Sequence, residues 1–445
     1  MNDPTGATAS GAPGPGTLPL DSCDLTDEEI AARFRWARGR GHPRFLWPDV
    51  PIDAWRGGLR RIEAAMKALL TGREDQHRLE TDEEIDSKAL GIAAFTSGMG
   101  PLLGCWVETE ALQTDATLGA LLRLHLEHGR LRAARLTAEL CRTLDVLADA
   151  GLAATVVKGM HTAGLLFPEP GTRPLMDIDI VVAAGDLATA EAALASAGYE
   201  RVPETLHVRP PKCDWTPPGA PRGLRSIELT HVENPYRVDL HGSLNRRLLG
   251  GVILHFDGVA VDHIRPWSEM HPAARVLSES ILVPYLAAHV AQDLRRLQLV
   301  RLAELVLAIR HHDTVADTGG WDTIAALVER LGPSRFFYPA FALAERLAPG
   351  TVHPGFLADL TRAATPRMRK VMAGMEPAAA QGLGELSLAE VLMWARGPLE
   401  HLRLALHVVW PGGRGKFSRR RVWRDRIAQI LGGRFSLRPP GNPRA

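Results

Sequence analysis

Apolar residues recur at three- and four-residue spacing over two long stretches of the chain, and this spacing predicts amphipathic helices. The first stretch covers about 117–150 and is followed by Gly151, the residue type that most often ends a helix. The second covers about 272–347. Farther upstream, the sequence Thr-x-x-Glu occurs at Thr26–Ile30 and at Thr81–Ile85. This is the pattern of a capping box, so we predict a separate helix start at each position.

Between the two helical stretches the spacing changes, and short apolar runs alternate with short helical segments. Such alternation is typical of a compact domain that contains both strands and helices. We predict strands at 153–157 and 176–182, helices at 159–167 and 186–198, and a hairpin that joins 226–232 to 236–244 around Asn234-Pro235.

The predicted elements divide the chain into five parts with an α+β fold overall. The first 24 residues are rich in Gly, Pro, Ala and Thr, a composition that predicts a disordered leader. The remaining predicted parts are an N-terminal helical region (25–150), an α/β core (151–262), a C-terminal helical region (263–400) and a basic helical tail (401–445).

Composition and charge exclude several classes of function. The 445-residue chain carries a formal net charge of +1, so no global field draws it to nucleic acid or membranes. Its four cysteines are scattered, without the close pairs of a zinc site, and no secretory signal precedes them. We therefore expect a cytoplasmic protein. The most apolar stretches are shorter than the roughly 20 residues of a membrane span, so we predict no such span.

The tail has a local basic character that the whole chain lacks. Its arginines, including Arg419–Arg421, are interleaved with Phe417 and Trp423, a combination that can bind nucleic acid or anionic lipid. The stretch "VWRDRIAQIL" favours a different interpretation, in which a solvated amphipathic helix ends a domain. We prefer this second interpretation, and we keep nucleic-acid binding through the tail as a rival.

Two aspartates interrupt the second predicted strand. Asp177 and Asp179 alternate with apolar residues in "MDIDIVV", so both carboxylates should leave the strand on one face, roughly 6.6 Å apart. At an effective dielectric constant of about 20, two such charges repel each other by roughly 3 kcal/mol. A site that keeps both ionised needs a strong local cation. Magnesium fits because it takes oxygen ligands and bridges carboxylates to substrate phosphates.

A site for two metal ions usually needs a third carboxylate on a neighbouring strand. Asp239 in "YRVDLHGSL" is the preferred candidate. Glu228 is the reserve candidate, because a shift of one residue in the hairpin register would exchange the faces of the two side chains.

The order of these motifs resembles a known family. "VVKGMHTAGLLFPEPGTRPLMDIDIVVAAGDLATAEAALASAGYE", followed by "YRVDLHGSL", is similar to the uncharacterised nucleotidyltransferases of the DNA polymerase β-like superfamily. The resemblance covers roughly 115–350. It implies a mixed sheet on which Asp177, Asp179 and Asp239 bind magnesium, as two ions. It further implies that an NMP passes from an NTP to an acceptor while pyrophosphate leaves.

The sequence departs from better-characterised relatives at the turn after the first strand. Those relatives have Gly-Ser, whereas this chain has Lys158-Gly159-Met160. Lys158 could replace the serine as a point charge on the triphosphate, and Gly159 would let the backbone approach the phosphates closely. Arg173 could contact the phosphates or pair with Asp177.

Several side chains outside the aspartate motif are weaker candidates. His241 could supplement the metal site or bond to Asp239, although a structural histidine is the preferred interpretation. The later helical region offers further candidates for a substrate cleft, namely His289, Asp293, Arg295, Arg296 and Glu304.

The resemblance predicts a magnesium-dependent nucleotidyltransferase whose acceptor is a hydroxyl, amine or phosphate of a small molecule, peptide or protein. The missing Gly-Ser keeps an alternative open, in which the same fold binds nucleotide or a partner without catalysis.

Overall fold

The computed structural model describes most of the chain from residue 25 to residue 409. The described residues are 25–40, 42–71, 77–79, 84–203, 212–228, 230–248, 252–294, 296–314, 320–381, 385–386, 388–409 and 435–436. The predicted leader and nearly all of the basic stretch from residue 414 onward lie outside the described residues.

Helices account for most of the described structure. They are α1 (Asp27–Arg40), α2 (Ile52–Leu70), α3 (Glu84–Thr96), α4 (Gly100–Glu108), α5 (Ala116–Asp149), α6 (Gly159–Leu166), α7 (Leu187–Ser196), α8 (Asp257–Ala260), α9 (Glu279–Gln292), α10 (Leu299–Thr314), α11 (Gly320–Leu331), α12 (Tyr338–Leu347), α13 (Pro354–Ala363), α14 (Pro366–Ala373), α15 (Pro377–Ala380), α16 (Leu388–Leu392) and α17 (Gly397–Val409).

The strands are short. They are β1 (His77–Leu79), β2 (Leu112–Thr114), β3 (Ala154–Val156), β4 (Ile178–Val181), β5 (Glu200–Arg201), β6 (Lys212–Thr216), β7 (Val238–His241), β8 (Arg246–Arg247), β9 (Ile253–Leu254), β10 (Ile264–Pro266), β11 (Ala274–Leu277), β12 (Glu385–Leu386) and β13 (Phe435–Ser436).

Seven of these strands form one mixed sheet in the order β10-β11-β3-β4-β7-β6-β5. The β4–β7 and β11–β3 pairs are parallel, and the other neighbouring pairs are antiparallel. The predicted α+β fold is therefore confirmed. Every residue of β3, β4 and β7 is buried, including Asp179 of β4 and Asp239 of β7.

Two hydrophobic clusters hold the sheet and helices together. One cluster joins the sheet to α5 and α7 and includes Leu140, Ile180 and Leu194. The larger cluster joins helices from both ends of the chain and includes Trp55 of α2 and Phe341 of α12. The N-terminal and C-terminal helices thus share a core, and the α/β region does not separate them.

The long helix and its caps follow the sequence pattern. Helix α5 covers Ala116–Asp149, and Gly151 behind it has φ +75°, a left-handed conformation that favours glycine. Asp115 caps its start by accepting from the Leu118 N–H at 2.9 Å. The first predicted capping box is confirmed, because Thr26 and Glu29 bond reciprocally at 2.8 and 3.3 Å. Thr81 of the second lies outside the described residues.

The predicted hairpin is wrong. The antiparallel partner of β7 is β6 at Lys212–Thr216, and among the described residues of 226–232 none is in a strand. Asn234 supplies the physical reason. Its side-chain oxygen accepts from the Ser226 N–H at 3.0 Å, and its amide donates to the carbonyl oxygens of Ser226 and Glu228 at 2.9 and 2.6 Å. These local bonds fold the segment into a loop in place of a strand ladder.

Among the described residues, no single helix is long and apolar enough to cross a membrane. The segments Ser87–Thr96 and Gly100–Glu108 reach the length and apolar composition of a membrane span only when taken together, and they meet at a bend of 116°.

Candidate functional site

The three predicted aspartates meet where β4 lies beside β7. These strands are parallel, and their register places Asp179 directly opposite Asp239. Asp177 comes immediately before β4, two residues from Asp179, so the period of the strand directs it to the same side of the sheet. Asp179 and Asp239 are only 4 % and 5 % exposed, so two carboxylates are buried side by side. The structure brings the reserve candidate Glu228 to a different partner, His128.

Two cationic or polar side chains hold Asp179. The Lys158 ammonium lies 2.8 Å from its Oδ2, and His241 Nε2 lies 3.2 Å from its Oδ1. Burial alone would raise the pKa of Asp179, but the Lys158 charge and the His241 hydrogen bond outweigh it and hold this pKa well below its usual value. Of the two roles predicted for His241, the bond to Asp239 is wrong, because the histidine bonds to Asp179.

Asp239 has its own lysine. The Lys212 ammonium donates to Asp239 and also lies 3.2 Å from Asp214 Oδ1. Burial and the charges of Asp177 and Asp179 nevertheless raise the pKa of Asp239 to about 7. Burial and the neighbouring Asp179 likewise raise the pKa of Asp177. Burial is the main cause of both raised values, and repulsion among the three carboxyl groups adds to it despite the two lysines.

The donor atoms fit a divalent ion. One ligand atom from each of Asp179, Asp239 and His241 can be chosen so that all three lie within 4.8 Å of one another. Carboxylate oxygens are the ligands that magnesium prefers, and a cation would relieve the repulsion among the carboxyl groups. Asp177 is not one of these three residues, but it lines the same cleft as Asp179.

The turn that carries Lys158 is strained. Lys158 has φ +43° and ψ −141° at the N-cap of α6, a conformation that costs a residue with a side chain about 1–3 kcal/mol. It directs the chain from β3 into α6, whose first residue is Gly159. Backbone N–H groups at the start of a helix are unpaired and attract anions, so this turn places a lysine beside such a position.

Arg173 is close to this turn, but its carboxylate partner is Glu304 and not Asp177. Its Nε and Nη2 atoms donate to the two carboxylate oxygens of Glu304 at 2.8 and 3.1 Å. A Cβ atom on Gly159 would lie 3.6 Å from Arg173 Nη1, so the guanidinium adjoins the turn after β3. Glu304, a weak candidate in the sequence, therefore fixes the position of Arg173.

A cleft opens beside this group. Its charged wall includes Lys158, Arg173, Asp177 and Asp179. The other walls come from both helical regions and from the segment that precedes β7. Their lining residues include Phe95, Thr96, Pro101, His125, Glu228, His289, Gln298 and Arg301. Of the remaining candidates in the later helical region, Asp293 bonds to Arg301 beside the cleft, and Arg295 lies outside the described residues.

Arg132 of α5 is a residue that the sequence reasoning missed. It is 1 % exposed and donates to five carbonyl oxygens, at distances of 2.7 to 3.2 Å. These carbonyls belong to Leu175, Met176, His231, Asn234 and Pro235. One side chain thus ties the segment that leads to Asp177 to the segment that leads to Asp239. Arg132 and His125 both lie on the apolar stripe of α5. A polar residue on such a stripe was the feature of the sequence that could have identified them.

The fold and the paired acidic strands agree with the comparison to known families. The family model described as "Uncharacterised nucleotidyltransferase" matches residues 83–349, more than half of the chain, and the protein belongs to this family. No curated protein significantly matches the chain. No solved structure does so either.

Replacing Lys158 by Met should change metal and nucleotide binding in opposite directions. The variant removes the cation that pairs with Asp179, so its affinity for Mn²⁺ alone should rise several-fold. It also removes a phosphate-binding charge, so its affinity for NTP with metal should fall by about tenfold. Titration calorimetry measures both, with Lys88→Met as the control for loss of a lysine. Unchanged affinity for Mn²⁺ would contradict the role given to Lys158.

A buried histidine next to this site should make folding sensitive to acid. His161 of α6 is 1 % exposed, and its burial, with the charge of Arg265, lowers its pKa from 6.5 to about 4. Below pH 6.5 the unfolded chain gains a proton that folded His161 does not, so stability falls as the pH drops toward 4. Between pH 7 and pH 5 this residue should cost about 2 kcal/mol. Urea unfolding should show that the free energy of unfolding falls between pH 7 and pH 5 by about 2 kcal/mol less in His161→Leu than in wild type. Equal falls in the variant and in wild type would refute the prediction.

Proposed function

We propose that this protein is a magnesium-dependent nucleotidyltransferase. It moves an NMP from an NTP to a hydroxyl, amine or phosphate of a small-molecule, peptide or protein acceptor and releases pyrophosphate. The observation that carries this proposal is the register of β4 and β7, which sets Asp179 beside Asp239 with Asp177 two residues away. Membership of the nucleotidyltransferase family gives the reaction class.

The catalytic residues in this proposal are the three aspartates. Asp177, Asp179 and Asp239 would hold the magnesium, in two ions, with His241 keeping Asp179 oriented through the bond at 3.2 Å. Bound magnesium would neutralise the triphosphate and lower the pKa of an acceptor oxygen. Burial of Asp179 and Asp239 strengthens the attraction of their carboxylates for a cation.

The turn after β3 would bind the phosphates of the nucleotide. Lys158 supplies an ammonium, and Gly159 begins α6, where the unpaired N–H groups favour an anion. Arg173 adjoins Gly159 and is held by both oxygens of Glu304, so its guanidinium is positioned before any ligand binds. These groups take the place of the Gly-Ser that better-characterised relatives have in the turn after the first strand.

A second candidate function is nucleotide or partner binding without catalysis. The specific observation in its favour is that Lys158 and Lys212 already pair with Asp179 and Asp239. In this alternative the lysines neutralise the carboxylates permanently, and no metal is required.

One experiment separates the two functions. The full chain is incubated with magnesium, each of the four NTPs and a panel of acceptors. Pyrophosphate release is then measured, and mass spectrometry is used to look for an added NMP. Pyrophosphate release with an NMP-modified acceptor supports the transferase. Calorimetric binding of an NTP without release, across the whole panel, favours the alternative.

A further inference from the structure

The cleft beside the aspartates has two chemically different ends. The end built from 158–179 carries Lys158, Arg173, Asp177 and Asp179, so it suits phosphates and metal. The end formed by Phe95, Thr96, Gly98, Pro101 and His125, which lie in or between α3, α4 and α5, has no lysine, arginine or carboxylate among these residues. Glu228 also lines the cleft and acts electrostatically on His125, but its carboxylate is already paired with His128. A ligand that spans the cleft should therefore be anionic at one end and uncharged at the other.

His125 is the residue at the uncharged end that lacks a partner. It is 2 % exposed, and neither ring nitrogen has a hydrogen-bond partner among the described residues. Burial lowers its pKa to about 4, so the imidazole is neutral near pH 7 and offers one N–H donor and one nitrogen acceptor. Leaving such a group buried without a bond is costly, and its usual explanation is a function or a bound molecule.

The surroundings of His125 favour a flat aromatic ligand. The Phe95 ring lies 6.0 Å from the imidazole, centroid to centroid, and both rings line the cleft. The Thr96 hydroxyl is already bonded within the protein, since it donates to the Ile92 carbonyl at 2.8 Å and accepts from Trp55 Nε1 at 2.9 Å. The uncharged end thus offers an aromatic face and one unpaired donor–acceptor group.

We infer that this end of the cleft binds the nucleobase of the nucleotide, with His125 bonding to the edge of the base and Phe95 packing against its ring. The inference rests on the proposed function, which places the triphosphate at Lys158 and Gly159 of the same cleft. A nucleobase carries neighbouring donors and acceptors on a flat ring, so it matches a neutral imidazole beside an aromatic side chain. The N-terminal helices thereby become part of the nucleotide site.

The test compares ligands with and without a base. Calorimetric titrations of the full chain in Mg²⁺ use inorganic tripolyphosphate and the α,β-methylene analogues of the four NTPs as ligands. Wild type should bind at least one analogue more tightly than tripolyphosphate. His125→Leu should weaken binding of that analogue by about tenfold, the value of one buried hydrogen bond, and leave tripolyphosphate unchanged. His125→Asn, which keeps a donor and an acceptor, should restore part of the loss.

Two controls keep a structural effect apart from a loss of recognition. His312 is a buried histidine of α10 outside the cleft lining, and His312→Leu should leave the preference for the analogue over tripolyphosphate unchanged. The melting temperature of His125→Leu should equal or exceed that of wild type, because the substitution removes an unpaired buried polar group.

The outcomes are distinguishable. Equal effects of His125→Leu on analogue and tripolyphosphate, or no effect on either, would overturn the inference and leave the proposed function standing. The same holds if wild type binds analogues and tripolyphosphate equally. If wild type binds neither kind of ligand, the proposed function fails and the inference fails with it.

Discussion

Asp177→Asn should reduce NMP transfer by about a thousandfold and leave the fold intact. The substitution removes a carboxylate from the proposed metal site at nearly constant size. It also removes a charge that is unfavourable in the folded protein, because burial and the charge of Asp179 raise the pKa of Asp177. Stability should therefore be unchanged or higher, which is typical of residues kept for function and not for folding.

The measurement is NMP incorporation, with urea unfolding of the same samples. Asp179→Asn should show the same loss of transfer, because Asp179 lies opposite Asp239 and two residues from Asp177. Asp186→Asn is the matched control, since Asp186 precedes α7 without capping it through its side chain. Undiminished transfer in both Asp177→Asn and Asp179→Asn would refute the assignment.

Arg132→Met should destabilise the protein by about 3–5 kcal/mol. The substitution keeps the apolar stem but removes this donor from five carbonyl groups, of which those of Leu175 and Asn234 are bonded in buried positions. Burial lowers the pKa of Arg132 to about 10, so the guanidinium is still charged near neutral pH and its bonds are charge-assisted.

Arg135 offers the control for Arg132. It lies almost one turn farther along α5, and its one hydrogen bond to the described part of the chain goes to the Val232 carbonyl, at 3.0 Å. Arg135→Met should cost about 1 kcal/mol in urea unfolding. A loss for Arg132→Met no larger than that for Arg135→Met would show that Arg132 does not organise the two aspartate segments.

The sequence pattern predicted the elements that depend on local periodicity. Helix α5 and strand β4 follow from the spacing of apolar residues, and the alternation around Asp177 and Asp179 predicted their common side. Asp239 was chosen over Glu228 on the assumption of a hairpin that does not form. Asp239 nevertheless lies opposite Asp179, because β7 pairs with β4 and not with 226–232.

Other features of the site depend on contacts that no local pattern carries. Lys212 reaches Asp239 only because β6 pairs with β7, and the sequence separation of 27 residues gives no sign of this. Glu304 meets Arg173 across 131 residues. Arg132 and His125 were visible as polar residues on an apolar stripe, but their partners could be identified only from the tertiary structure.

Mn²⁺ affinity of the Asp239→Asn variant is the most direct test of the central claim, that carboxylates from two separate strands hold a divalent ion together. Calorimetry or electron paramagnetic resonance of the full chain should show binding weakened by about tenfold or more, as for Asp179→Asn, while Asp186→Asn binds like wild type. Wild-type affinity for Mn²⁺ in Asp239→Asn would contradict the claim.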